Sequence, residues 1–411
     1  MTTAENKSFT VFKGDTSRLR NVIPIAERMT PEFHQTEKAA IFRRSWLVAA
    51  SALDLKKKGD YLVTDIPPLK ASLLIVRGQD DRIRVFHNVC RHRGEKLVRD
   101  ANGCRRAFTC GFHAWTFANT GELIGVTDAT QFCGLDKSTH GLIPVNSEVW
   151  ENIVFVNFDP NPRQTLAEWL GPIHDQYKGF SDGRTKIADH RVVLKTNWNL
   201  AVNAFCEGYH NLYIHRNTVP DYQGSGSNPN RHRAYIEVGD HFARYSAHGN
   251  PNHKATPAED ILYTASRPMF PSFIKFDMDK LAPGVNPSRF HQWAFDIVHL
   301  VPNVVLGPQA NTHSLMWFWP IDHETTDVRV QRFAFQTDRP ADRIAQQYAI
   351  VRGREVLRED LATMETNYLG VSSGALPHIF LSQQEMLIQN HYRAADDLIA
   401  ERNVHALPKV A

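Results

Sequence analysis

The sequence is short of several things, and each shortage narrows the reading. Five cysteines in 411 residues (Cys90, Cys104, Cys110, Cys133 and Cys206) cannot complete a disulfide framework. No apolar run approaches the roughly 20 residues that span a bilayer. The opening stretch MTTAENKSFTVFKGDTSRLR has no apolar core of a signal peptide. Together these point to a cytoplasmic protein with reduced thiols, and to no membrane partner. The formal net charge of +3 is too small to argue for nucleic acid as a partner. A GxGxxG fingerprint is also missing, so any nicotinamide or flavin chemistry must come from another protein.

What remains is ordinary globular material, 42% hydrophobic and 22% charged, long enough for two or three domains. Residues 1–45 read as an N-terminal arm with one or two helices, opened by Thr30 and Pro31 as cap and first turn. Residues 46–160 change to short β-rich runs such as YLVTDI (61–66), ASLLIVRG (71–78) and EVWENIVFVNF (148–158), an all-β domain. Pro160, Asn161 and Pro162 break that pattern. Residues 161–411 are mixed. HRVVLKT (190–196) reads as a strand and NWNLAVNAFCEGYHNLY (197–213) as a helix. Strand-like runs follow at 295–307, 312–319 and 328–336, then a long helix over 341–365. The fold class expected is α+β, with an antiparallel sheet bracketed by helices. GSGSNPNR (224–231) reads as a mobile loop at a site entrance.

Two pairs of metal-ligating residues stand out. Cys90-Arg91-His92 and Cys110-Gly111-Phe112-His113 are separated by 17 residues. Zinc sites usually pair cysteine with cysteine and histidine with histidine. Here each half offers one thiolate and one imidazole, the donor set of a Rieske [2Fe–2S] cluster with Cys₂ on one iron and His₂ on the other. Cys104, Cys133 and Cys206 lie outside the pattern and read as small buried or half-buried residues.

A second constellation is Glu207-x₂-His210-x₄-His215. Two imidazoles and a carboxylate are the donors of a non-haem ferrous site with positions open for O₂ and substrate. Asn203, Glu207 and His210 fall on one face of a continuous helix. His210 and His215 would diverge by about 140° on it, so a shared metal requires the helix to bend or end between them.

These residues resemble those of ring-hydroxylating Rieske oxygenase alpha subunits. The likeness rests on Cys90, His92, Cys110 and His113 with Arg93-Gly94 and Trp115, and on Asn197-Trp198, Asn203 and Tyr209 before His210. It extends over about residues 40–395. It implies an all-β Rieske domain and a helix-grip-like catalytic domain over 161–411. It implies Asp360, within Arg358-Glu359-Asp360-Leu361, as the third iron ligand beside His210 and His215; Glu359 and Glu365 are the alternatives. Glu207 would link the Rieske ligand His113 of a neighbouring chain to His210, which makes a homotrimer part of the expectation, with or without a small beta subunit. Electrons would arrive from NAD(P)H through a flavin reductase or ferredoxin, steered by Lys56-Lys57-Lys58 and the arginines around the cluster. The apolar residues Phe295, Val305, Leu306 and Phe318 suit an aromatic or polycyclic substrate, ring-dihydroxylated with O₂. Monooxygenation or O/N-demethylation is the rival reaction. A non-catalytic Rieske electron-transfer protein is the rival of another class.

Overall fold

The apolar runs from residue 184 onward pair into one eight-stranded sheet. In chain order its strands are β1 (Val11–Lys13), β2 (Arg184–Leu194), β3 (Ala234–Val238), β4 (Phe242–His248), β5 (Trp293–Leu300), β6 (Val304–Pro308), β7 (Thr312–Pro320) and β8 (Thr326–Phe335). Across the sheet they run β1-β3-β4-β5-β6-β7-β8-β2. Every neighbouring pair is antiparallel except β1 and β3. The computed structural model describes residues 11–221, 225–231, 234–266 and 277–404.

The run 295–307 is not one strand but the hairpin β5–β6, turned at Val301–Pro302, where the peptide is cis. β3 and β4 are buried along their whole length. That continuous burial marks strands covered on both faces. One cover is a C-terminal helix over Met386–Val404, whose Asn390 donates to the carbonyls of Gly239 and Phe242.

Three helices position the site. α1 (Trp198–Asn203) is capped by Asn197, which accepts from the N–H of Asn199. α2 (Asn211–Ile214) is a single turn. α3 (Pro340–Ser372) is 33 residues, about 50 Å long, and starts with proline in its first turn, where the missing N–H is harmless. Its buried positions Leu357, Asp360, Met364, Tyr368 and Val371 recur every three or four residues, as do Ala345 and Ala349 before them. They form one face, and Asp360 is a carboxylate set within it.

The chain divides into two units, Met1–Ala40 with Leu170–Ala411, and Ile41–Trp169. Among its described residues, the first unit's N-terminal part holds one α-helix, Pro31–Glu37, capped as expected by Thr30. It also supplies β1 and the strand Val22–Pro24, which pairs with His378–Phe380. The second unit is β-rich, built of one four-stranded and two three-stranded sheets. The hairpin 146–157 turns at Glu151 and Asn152, both at positive φ, the geometry that matches strand twist in a two-residue turn. Its core gathers Tyr61, Leu74, Phe86, Phe108 and Phe117 with Cys90, Cys110 and Trp115. Among the described residues, no helix is long and apolar enough to cross a membrane.

Candidate metal centres and cavity

The segment 197–215 does not form the single helix that its sequence suggests. α1 ends at Asn203, the chain turns through Ala204–Cys206, and α2 begins after His210. Glu207 drives the second turn, because its carboxylate accepts from the backbone N–H groups of Tyr209 and His210. Asn203 and Glu207 therefore do not share a helical face. Asn203 instead donates to the Tyr392 hydroxyl at 2.7 Å, its side-chain Oδ1 being buried without a partner among the described residues. The break brings the two histidines together, with ring centroids 5.1 Å apart.

Asp360 completes the set from α3. Its Oδ1 lies 3.4 Å from His210 Nε2 and 3.1 Å from His215 Nε2. Among the described residues this is the group of three ligand atoms gathered within 4.8 Å. Two imidazoles and one carboxylate fit a mononuclear ferrous iron with open positions.

Each histidine is held from behind by a carboxylate. His210 Nδ1 bonds Glu207, and His215 Nδ1 lies 2.8 Å from Glu359 Oε2. The Thr218 hydroxyl fixes Glu359 in turn at 2.5 Å. Such outer carboxylates set the tautomer, leaving both Nε2 atoms free for a metal. Burial works to lower the pKa of His215, but its bonds to Asp360 and Glu359 outweigh that and raise it. Glu359, an alternative ligand in sequence, is thus turned to the far side of His215. Glu365 is elsewhere, accepting from the Lys195 N–H at 2.9 Å.

A cavity of about 250 Å³ opens onto the set, lined by Phe205, Phe295, Leu306, Met316 and Val330 among others. Phe295, Val305 and Leu306 stand where the sequence reading puts them. Phe318 does not line it; it is fully buried behind Phe205, rings 5.5 Å apart. The loop 225–231 is also unlike its expected form. Asn228 and Asn230 are buried and bond the carbonyls of His248 and Gly249, while Asn250 donates to Ser227. The described part is a pinned turn and not a lid. Gly224 lies outside the described residues.

In the other unit two loops repeat one design. Cys90 N–H bonds the Glu95 carbonyl and Gly94 N–H returns to Cys90; Cys110 N–H bonds Trp115 and Ala114 N–H returns to Cys110. Gly94 and Ala114 both take positive φ, +80° and +56°, to close them. Cys90 and Cys110 are buried, and the rings of His92 and His113 stand 4.6 Å apart. His92 stacks on Trp115, and its Nδ1 is a buried nitrogen without a partner. Two thiols, two imidazoles and one orphaned ring nitrogen fit the donors of a Rieske [2Fe–2S] cluster. Cys206 is buried as expected, whereas Cys104 and Cys133 are exposed.

Known proteins agree. A model of the ring hydroxylating alpha subunit (catalytic domain) matches residues 181–401, and one of the Rieske [2Fe-2S] domain matches 45–140. The chain belongs to the ring-hydroxylating alpha-subunit family. It is a Rieske non-haem iron oxygenase, an oxidoreductase with a [2Fe–2S] cluster and a catalytic non-haem iron. The carnitine monooxygenase oxygenase subunit of Acinetobacter baumannii is 26% identical over 71% of this chain and 69% of its own length. Benzene 1,2-dioxygenase subunit alpha of Pseudomonas putida is 32% identical over 44% of this chain and 41% of its own. Among solved structures, a quaternary ammonium Rieske monooxygenase superposes with TM-score 0.74 at 20% identity, covering 95% of this chain and 99% of that one. Naphthalene 1,2-dioxygenase from Rhodococcus sp. also gives 0.74 at 20%, covering 92% and 94%. Likeness at that identity speaks for the fold alone.

Sequence reasoning did not assign Glu359 as a buttress, nor did it find Arg332, an arginine facing the cavity. Both leave a trace in sequence. Glu359 adjoins the ligand candidate Asp360, and Arg332 interrupts the apolar alternation Val328, Val330, Ala334.

Proposed function

We propose that this chain is the oxygenase component of a multicomponent system that hydroxylates an aromatic substrate. Electrons come from NAD(P)H through a separate reductase, directly or by way of a ferredoxin. In this reading His210, His215 and Asp360 hold the iron, and Cys90, His92, Cys110 and His113 hold the cluster. The observation that carries it is the gathering of His210, His215 and Asp360 at the wall of an apolar cavity. When bound, the two metal groups supply one-electron delivery and O₂ activation.

The residues of the chain supply the rest. Glu207 and Glu359 fix both imidazoles with Nε2 toward Asp360, so a metal meets preset donors. Phe205, Phe295 and Leu306 exclude water and take up an apolar ring. Glu207 has a further role here. Its carboxylate links His210 to the His113 of a neighbouring chain in a closed homotrimer. A structural neighbour, a quaternary ammonium Rieske monooxygenase, is described in terms of inter-subunit electron transfer.

Ring dihydroxylation is the first reading and demethylation the second, the latter favoured by the carnitine monooxygenase relatives that cover 71% of the chain. An O₂-uptake screen with NADH and reductase tests the proposal, with products analysed for diols and for formaldehyde. Substrate-dependent uptake with a hydroxylated arene supports it. Formaldehyde release assigns demethylation. No uptake with any substrate while the cluster cycles between oxidised and reduced forms contradicts oxygenase function.

A further inference from the structure

Among the described residues, Arg332 is a cation of the cavity wall with neither an ion-pair nor a hydrogen-bond partner. It stands on β8 and lines the cavity wall. Its neighbours across the sheet are Ala188 on β2 and Ser314 on β7, neither of them acidic. Three buried or half-buried arginines of this unit are held. Arg244 bonds Glu237, Arg184 bonds His313 and the Ala310 carbonyl, and Arg352, also at the cavity, pairs with Glu259. Among the described residues, none forms an ion pair or hydrogen bond with the Arg332 guanidinium. Burial alone lowers its pKa, with no carboxylate to offset it.

The long helix makes room for this group. A Cβ placed on Gly353 of α3 would lie 2.4 Å from one guanidinium nitrogen, 2.6 Å from the other and 2.5 Å from Cζ. Glycine in a helix interior costs stability relative to alanine, and here it lets the guanidinium rest against the helix where a Cβ would push it aside. Gly353 and Asp360 are seven residues apart on one face of α3. The charge therefore sits about 10 Å along the helix from the Asp360 carboxylate.

A half-buried cation on a cavity wall with no protein partner is open to an anionic ligand, and a planar guanidinium is best satisfied by a carboxylate in a two-point bond. We propose that the substrate carries a carboxylate, anchored by Arg332 over Gly353, with its apolar body along Phe205, Phe295 and Leu306 toward the histidines. This rests on the oxygenase reading and names the substrate class of the same cavity. Two sources share that chemistry: aromatic acids, and zwitterions that join a carboxylate to a quaternary ammonium.

The test is isothermal titration of the iron-loaded holoenzyme with matched probes: benzoate, salicylate and 3-phenylpropionate against their amides, and γ-butyrobetaine against its amide. At least one acid is expected to bind about 10- to 100-fold tighter than its amide. Arg332→Met should remove that preference, Gly353→Ala should weaken it by displacing the guanidinium, and Arg332→Lys should keep part of it. Gly353→Ala guards against misfolding, since alanine is the better helix former. Preference for an aromatic acid assigns the first source, and preference for γ-butyrobetaine the second. Acids and amides binding alike, no binding at all, or an acid preference that survives Arg332→Met overturns the anchor. A neutral arene turning over with O₂ uptake would then leave the oxygenase reading standing. Conversely, Arg332-dependent acid binding without O₂ uptake on any substrate supports the anchor and removes the oxygenase reading.

Discussion

Glu207 holds His210 at two points, its carboxylate accepting from the ring Nδ1 and from the backbone N–H of the same residue. The same carboxylate receives the Tyr209 N–H, so one side chain shapes the turn into α2 and aims the imidazole. Glu207→Gln retains a carbonyl oxygen for Nδ1 but loses the charge that strengthens the bond. The variant is expected to keep iron and cluster while electron delivery to the iron falls about 10- to 100-fold. Single-turnover oxidation of the reduced cluster, with O₂ and substrate present, measures it. Wild-type rates in Glu207→Gln remove the bridging role.

Glu359 should fail differently, because it buttresses His215 and touches no neighbour on this account. Glu359→Ala frees the His215 ring and leaves the Thr218 hydroxyl without its acceptor. Iron affinity is expected to drop about 10- to 100-fold, with Glu359→Gln intermediate. Competition with a ferrous chelator gives the number, and the cluster spectrum serves as an internal standard. Unchanged chelator competition in Glu359→Ala contradicts the assignment.

The metal motifs were legible because ligation constrains residue type and spacing together. Cys90-x-His92 and Cys110-x₂-His113 announce themselves, and the angular divergence of His210 and His215 foretold a break in the helix. What stayed hidden depends on distant partners. The composition GSGSNPNR is as consistent with a mobile loop as with a turn pinned by asparagines; the carbonyls that Asn228 and Asn230 reach belong to β4 and the residue after it. Cys104 and Cys133 are exposed because their strand edge and loop are, a matter of sheet position and not of residue type. The role of Glu359 depends on which way a helix is rotated, which periodicity alone does not decide between adjacent acids.

A buried carboxyl outside the metal set gives a pH signature. Glu37 accepts from Trp198 Nε1 and Asn199 Nδ2, yet full burial pushes its pKa from 4.5 up to about 7. The folded state thus holds this proton more tightly than the unfolded chain. Its contribution is fully present below about pH 4.5 and is lost as pH rises through about 7. The loss is on the order of 3 kcal/mol. Urea midpoints of wild type and Glu37→Gln, compared at pH 5 and pH 8, report it. Wild type should lose stability relative to the variant as pH rises, and parallel profiles would count against the shift.

Iron content per chain in Asp360→Ala tests the central claim most directly. Wild type is expected to carry about three irons, two of them in the cluster. The variant should retain about two, with the Rieske EPR signal and visible spectrum intact and O₂ uptake abolished. A variant that keeps its third iron, or that loses the cluster along with it, contradicts the assignment of His210, His215 and Asp360 as a separate iron site.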